Sequence, residues 1–186
     1  MNAASVQGGG MREVDGSEVE EIVSLHMQTL GYALQSVQAR YQKMQAETLA
    51  GTGLSVGQAA ILDTLWRRQQ QTENSGESLG LTQTQLGRIA NIEKSSLVIL
   101  LDDLERHGWT QRRRHPSDRR AHLVHLTDEG AFRYPDLRQR LGELEDACFS
   151  TFTPPQRRRM LSDLAKLSAA LANPIDGDVA SSTLRT

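Results

Sequence analysis

The chain has 186 residues, 38% of them apolar, which is enough for one domain of ordinary size with a real core. No run of about 18 apolar residues occurs, and the N-terminal MNAASVQGGGMREVDGSE lacks the basic start and apolar centre of a secretory signal, so no membrane association and a cytoplasmic location are expected. The net charge of −2 hides an asymmetry: Arg106, Arg112, Arg113, Arg114, Arg119 and Arg120 face a single acid, Asp118, between residues 106 and 122, a local +5 on a chain that is otherwise −7. A basic patch on an acidic body directs a polyanion to one place.

Residues 1–16 and 173–186 are polar, with no apolar periodicity, and read as tails. Between them, helix starts are marked by capping boxes, Ser17 with Glu20, Ser55 with Gln58, Thr82 with Gln85 and Thr153 with Gln156. Pro154 adds a favourable first helical residue. Six helices are predicted, over about 17–47, 55–70, 82–90, 93–107, 127–149 and 153–172. Val19, Ile22, Val23, Leu30, Leu34, Val37, Tyr41 and Met44 form one stripe on the first. Gln69 to Gly80 is a polar, Gly/Ser-rich loop. With 4% aromatics and many helix formers, strands should be few.

Residues 82–107 read as a helix-turn-helix. The first short helix contributes Leu86 and Ile89 to a buried face. The second contributes Leu97, Leu100, Leu101 and Leu104, at i, i+3, i+4 and i+7. Turned away from that face are Lys94, Ser95, Ser96, Val98, Ile99, Asp102 and Asp103. Hydroxyls, a lysine and a helix N-terminus suit phosphate and base-edge contacts. His107 and Gly108 end the helix. Trp109 to Arg114 and Arg119 to Leu126 then read as two strands joined by the turn His115-Pro116-Ser117-Asp118. The hairpin carries arginines at its tip, a shape that enters a minor groove while the preceding helix occupies the major groove.

Other chemistries find little support. There is no Gly-rich phosphate loop, HExxH, GxSxG or CxxC, so an enzyme is not expected, and no cofactor is called for. His122 and His125 lie three apart on a strand and so point to opposite faces, which argues against zinc. Cys148 has no second cysteine with which to pair, and Glu143, Glu145 and Asp146 disfavour its thiolate, so an oxidation switch there is the weaker alternative. A winged helix that binds protein without DNA is the other alternative. The arginine wing argues against it.

Leu104-Glu105-Arg106-His107-Gly108-Trp109, Asp118-Arg119-Arg120 and Val124-His125-Leu126-Thr127-Asp128-Glu129-Gly130 together resemble the MarR family of transcriptional regulators across roughly residues 20–172. The resemblance implies a mainly α fold with a small β wing. Dimerisation helices would occupy 17–54 and 127–172, and a winged helix-turn-helix 55–126. It implies a homodimer on an inverted-repeat operator in double-stranded DNA. Ser95, Ser96 and Val98 would face the major groove and Arg120 the minor groove, with Arg119 on the phosphates and Asp118 paired to a wing arginine. Thr82, Gln83, Lys94, Ile99, Arg112, Arg114 and Ser117 complete the DNA-binding candidates. Ile99 departs from the arginine that many members carry there. A small aromatic or anionic effector is also implied, lined by His26, Met27, Leu30, Leu62 and Trp66. The long apolar stripe on the first helix, together with Leu137, Leu141 and Leu144 and with Leu161, Leu164, Leu167 and Leu171, exceeds what a small winged helix could cover alone and independently favours a dimer.

Overall fold

Asp15 opens the first helix: its carboxylate accepts from the amides of Ser17 and Glu18, and Glu18 reaches back to the Asp15 amide, closing a capping box. The helix start expected at Ser17 with Glu20 therefore lies earlier: Gly16 is the first helical residue and Asp15 its cap, so neither belongs to a tail. The computed structural model describes residues 15–72, 80–118 and 121–172; the remainder of both expected tails lies outside the described residues.

The helix read over 17–47 is two helices, α1 (Gly16–His26) and α2 (Leu30–Thr48). At the break the amides of Gln28 and Thr29 turn to the carbonyls of Leu25 and His26, three residues back, and the Thr29 hydroxyl donates to the His26 carbonyl. His26 Nδ1 lies 2.7 Å from the Ile22 carbonyl oxygen. Side chains that compete for backbone carbonyls, together with tightened i to i+3 bonds, end the α-helical ladder. The apolar stripe continues across the interruption and so gives no sign of it.

Two compact units meet between Val56 and Gly57. The first contains α1 and α2; Leu49 is buried, whereas Val19, Ile22, Leu25, Leu34 and Val37 stay exposed. The second carries α3 (Val56–Thr72), β1 (Leu81–Thr82), α4 (Gln83–Ala90), α5 (Lys94–Arg106), β2 (Thr110–Arg114), β3 (His122–Leu126), α6 (Asp128–Cys148) and α7 (Pro154–Ala172). Helix α3 runs on through Gln69–Thr72, so the polar loop begins later than expected, and its residues 73–79 lie outside the described residues.

The sheet has the order β1-β3-β2 and is antiparallel throughout. Thr110 stands opposite Leu126, Arg112 opposite Val124 and Arg114 opposite His122. The short β1, absent from the sequence reading, pairs Leu81 with Val124 and Thr82 with Leu123. Its two residues are too few to show alternation. Being flanked on both edges, β3 buries the consecutive residues Leu123 and Val124, while Leu126 is half-buried. The core gathers around Ile61, Leu62 and Leu65 of α3, Leu86 of α4, and Leu97, Leu101 and Leu104 of α5.

Helix α6 is fixed at its start by Thr127, whose hydroxyl accepts from the Gly130 amide and donates to the Gly108 carbonyl at 2.6 Å. Gly130 has to be glycine, because a Cβ there would collide with the Trp109 carbonyl oxygen. Pro135 interrupts the ladder inside α6, where it removes one amide donor. Just before it, Tyr134 is buried.

Candidate nucleic-acid interface

Thr82 begins the site. Its hydroxyl accepts from the Gln85 amide at 3.2 Å and the Gln85 side chain accepts from the Thr82 amide at 2.9 Å, the capping box expected from sequence. Thr82 and Gln83 are half-buried at the entry to α4. Leu86 is fully enclosed, but Ile89, expected on the same face, is 60% exposed. Helix α4 spans only eight residues, and its inward row steps from Leu86 to the half-buried Ala90, four residues on, which leaves Ile89 outside. Asn91 ends the helix in the left-handed region, at φ 53°.

Helix α5 divides as its spacing predicts. Leu97, Leu101 and Leu104 are buried, whereas Lys94, Ser95, Ser96, Val98 and Ile99 are exposed. Ser95, Val98, Ile99 and Asp102, at i, i+3, i+4 and i+7, share one outward stripe. Asp103 is turned elsewhere: it accepts from the Gln58 side chain of α3 and from Arg106 Nη2 at 2.7 Å.

Arg112 differs from its expected role at the DNA surface. Its guanidinium pairs with Asp102 at 2.7 Å and with Glu105, whose other carboxylate oxygen accepts the Arg112 amide at 2.8 Å. The side chain is only 22% exposed, and its Nε is buried without a hydrogen bond. The register explains this placement: Arg112 faces the buried Val124 across the ladder, so its side chain leaves the sheet on the core side, towards α5. Arg112 is therefore a strut between β2 and α5 rather than a free cation. Arg113 and Arg114 are exposed.

The wing turn is organised by His115. Its amide donates to the Ala121 carbonyl at 3.0 Å, and its Nδ1 lies 3.2 Å from the amides of both Ser117 and Asp118, as their acceptor. Ser117 and Asp118 are exposed, while Arg119 and Arg120 lie outside the described residues. On β3, burial first and the Arg113 charge second hold the His125 imidazole below its ordinary pKa.

The proposed effector residues are distributed over both units. In the first, the His26 ring packs on Tyr32 with centroids 5.0 Å apart, and Met27 and Leu30 are exposed. In the second, Leu62 is wholly enclosed in the core and Trp66 packs on Tyr134, with centroids 5.6 Å apart. One cluster here has no counterpart in the sequence reading: Asp63 accepts from the Tyr134 hydroxyl and from Arg67 Nε, each at 2.6 Å, and burial pushes the Tyr134 phenol upward. Positions 63 and 134 are linked by no local spacing. Among the described residues no group of three His, Cys, Asp or Glu side chains is placed to hold a metal, and no helix is long and apolar enough to cross a membrane.

Two helices joined by a tight turn, followed by a hairpin whose second strand also takes up a short strand from before the helices, define a winged helix-turn-helix. Residues 54–122 match the model of the MarR family. It is 36% identical over 84 residues to the HTH-type transcriptional repressor YetL of Bacillus subtilis, a match spanning 45% of this chain and less than half of YetL, 46%. It is 29% identical to the HTH-type transcriptional regulator PecS of Dickeya dadantii, over 64% of this chain and 68% of PecS. Among solved structures, the transcriptional repressor CouR bound to a 23-mer DNA duplex is 28% identical, with a TM-score of 0.63 over 84% of this chain and 99% of CouR.

Proposed function

We propose that this protein is a dimeric, sequence-specific regulator of transcription that binds double-stranded DNA as a repressor and is released by a small aromatic or anionic ligand. The observation that carries the reading is the continuous run of α4, α5 and the wing within one unit, with the buried leucines of α5 opposite an exposed amino-terminal half of Lys94, Ser95 and Ser96. A helix of this kind fills a major groove, and its free amides, hydroxyls and lysine suit phosphate and base edges. Arg120 supplies a guanidinium group for the narrow minor groove alongside, with Arg119 and Arg114 serving the phosphates. The CouR complex with DNA and the repressor name of YetL support the same reading.

DNA reading is assigned to residues 55–126 and dimerisation to 17–54 with 127–172. Two equivalent recognition helices call for an inverted repeat with half-sites about one helical turn apart. Release needs only a ligand whose affinity differs between the DNA-bound and free forms, typically by about 1–3 kcal/mol. The test is a gel shift against the region upstream of the protein's own gene at two salt concentrations. Wild type should bind it well above unrelated DNA, and folded Arg120→Ala should lose about 1–3 kcal/mol of that preference. Equal binding to both DNAs by folded wild type would remove the proposal.

A further inference from the structure

The outward stripe of α5 carries apolar groups that folding leaves partly or largely exposed. Ile99 is 70% exposed and Val98 37% exposed, while the helix buries Leu97, Leu101 and Leu104 elsewhere. β-Branched side chains lose rotamer freedom in a helix, a cost that packing offsets least at Ile99. From Lys94 to Ile99 the one cation is Lys94, in the first turn, and Asp102 farther along is held by Arg112. The stripe therefore lacks the bidentate arginine that reads guanine. Two side chains are also far too little for a protein interface, which needs on the order of 800 Å² per partner. In the major groove the apolar feature of a base edge is the thymine C5-methyl group.

Given the reading of α5 as a recognition helix, we propose that Val98 and Ile99 determine sequence preference by packing on thymine methyl groups. Lys94, Ser95 and Ser96 then serve phosphate and register, and thymine is specified by burial of its methyl instead of by a hydrogen-bonded pair.

The experiment uses the full chain. A duplex selected by wild type from a random-sequence pool is remade with deoxyuridine replacing each thymine in turn, which deletes only the methyl group. At one or more positions in each half-site the uracil duplex should bind about fourfold more weakly, the factor expected from one buried carbon. The doubly substituted Val98→Ala, Ile99→Ala protein should bind thymine and uracil duplexes alike, closing a double-mutant cycle. Should that protein bind too weakly to titrate, Ile99→Val runs the same cycle with one carbon removed. If selection yields no preferred sequence, the assignment of α5 as a recognition helix fails together with this inference. If a sequence is selected but lacks thymine, or every uracil duplex binds like its parent, or the substituted proteins remain as methyl-sensitive as wild type, methyl reading falls while DNA binding stands.

Discussion

The Arg112 guanidinium ties β2 to α5 through Asp102 and Glu105, and Asp102 shares its stripe with Ser95, Val98 and Ile99. A cation already shared between two carboxylates displaces few counterions from DNA. It does keep those carboxylates from repelling phosphate, and it sets the wing against the helix. Arg112→Met should therefore weaken specific binding by about 1–3 kcal/mol without changing the slope of affinity against salt. Glu105→Gln should weaken binding too, although it removes a negative charge near a polyanion. The check is a titration of both variants against one duplex at several salt concentrations. A slope shallower by about one unit for Arg112→Met would make it a phosphate ligand after all. In the sequence Arg112 was one of several alternating arginines, with nothing to separate it from Arg114. The outward residues of α5 were legible because a 3.6-residue period encodes them. Contacts such as Arg112 with Asp102, or Tyr134 with Asp63, join separate elements and leave no periodic trace.

Elements were legible wherever a local chemical signal coincided with their ends. Thr82 with Gln85 and Pro154 mark real helix starts, and the turn from His115 to Asp118 joins real strands. The break at Met27–Thr29 escaped because the apolar stripe crosses it, and β1 escaped because its partner strand, not its own composition, makes it a strand. The same β3 strand carries a pH-dependent contribution to stability. His125 is half-buried, with Gly80 so close that a Cβ there would meet the imidazole. Burial and Arg113 lower its folded pKa below the ordinary value of 6.5. As pH falls the unfolded chain therefore takes up the proton first. The contribution is fully present above about 6.5 and is lost progressively towards the lower, folded value. The urea midpoint of wild type should thus fall between about pH 7 and pH 5 by more than that of His125→Gln. Parallel curves for the two proteins would show that His125 contributes nothing to the dependence.

At the scale of the whole molecule, the quantity to explain is exposed apolar surface. Helix α7 buries none of its residues: Leu161 is 67% exposed, Leu164 43% and Leu171 62%, and Leu25 and Leu30 in the first unit stand at 58% and 80%. Exposed apolar stripes of this kind call for a partner, and the proposed dimer covers identical stripes by a two-fold axis, the simplest operation that does so. The proposed dimer also has a consequence for binding that needs no further contact with DNA. Two recognition helices on one particle would turn the second half-site encounter into an intramolecular event, so affinity for an inverted repeat should exceed that for one half-site by about 10²-fold or more. Placing charges on the exposed leucines, as in Leu161→Glu with Leu164→Glu, should leave the buried core of the second unit intact and shift the protein to monomer. That variant should lose most of its affinity for the inverted repeat and retain its affinity for a single half-site. Sedimentation at micromolar concentration, paired with titration of both duplexes, tests the two effects together. A wild-type particle of 20.6 kDa that binds the inverted repeat at full strength would show that α7 faces something other than a second copy of this chain.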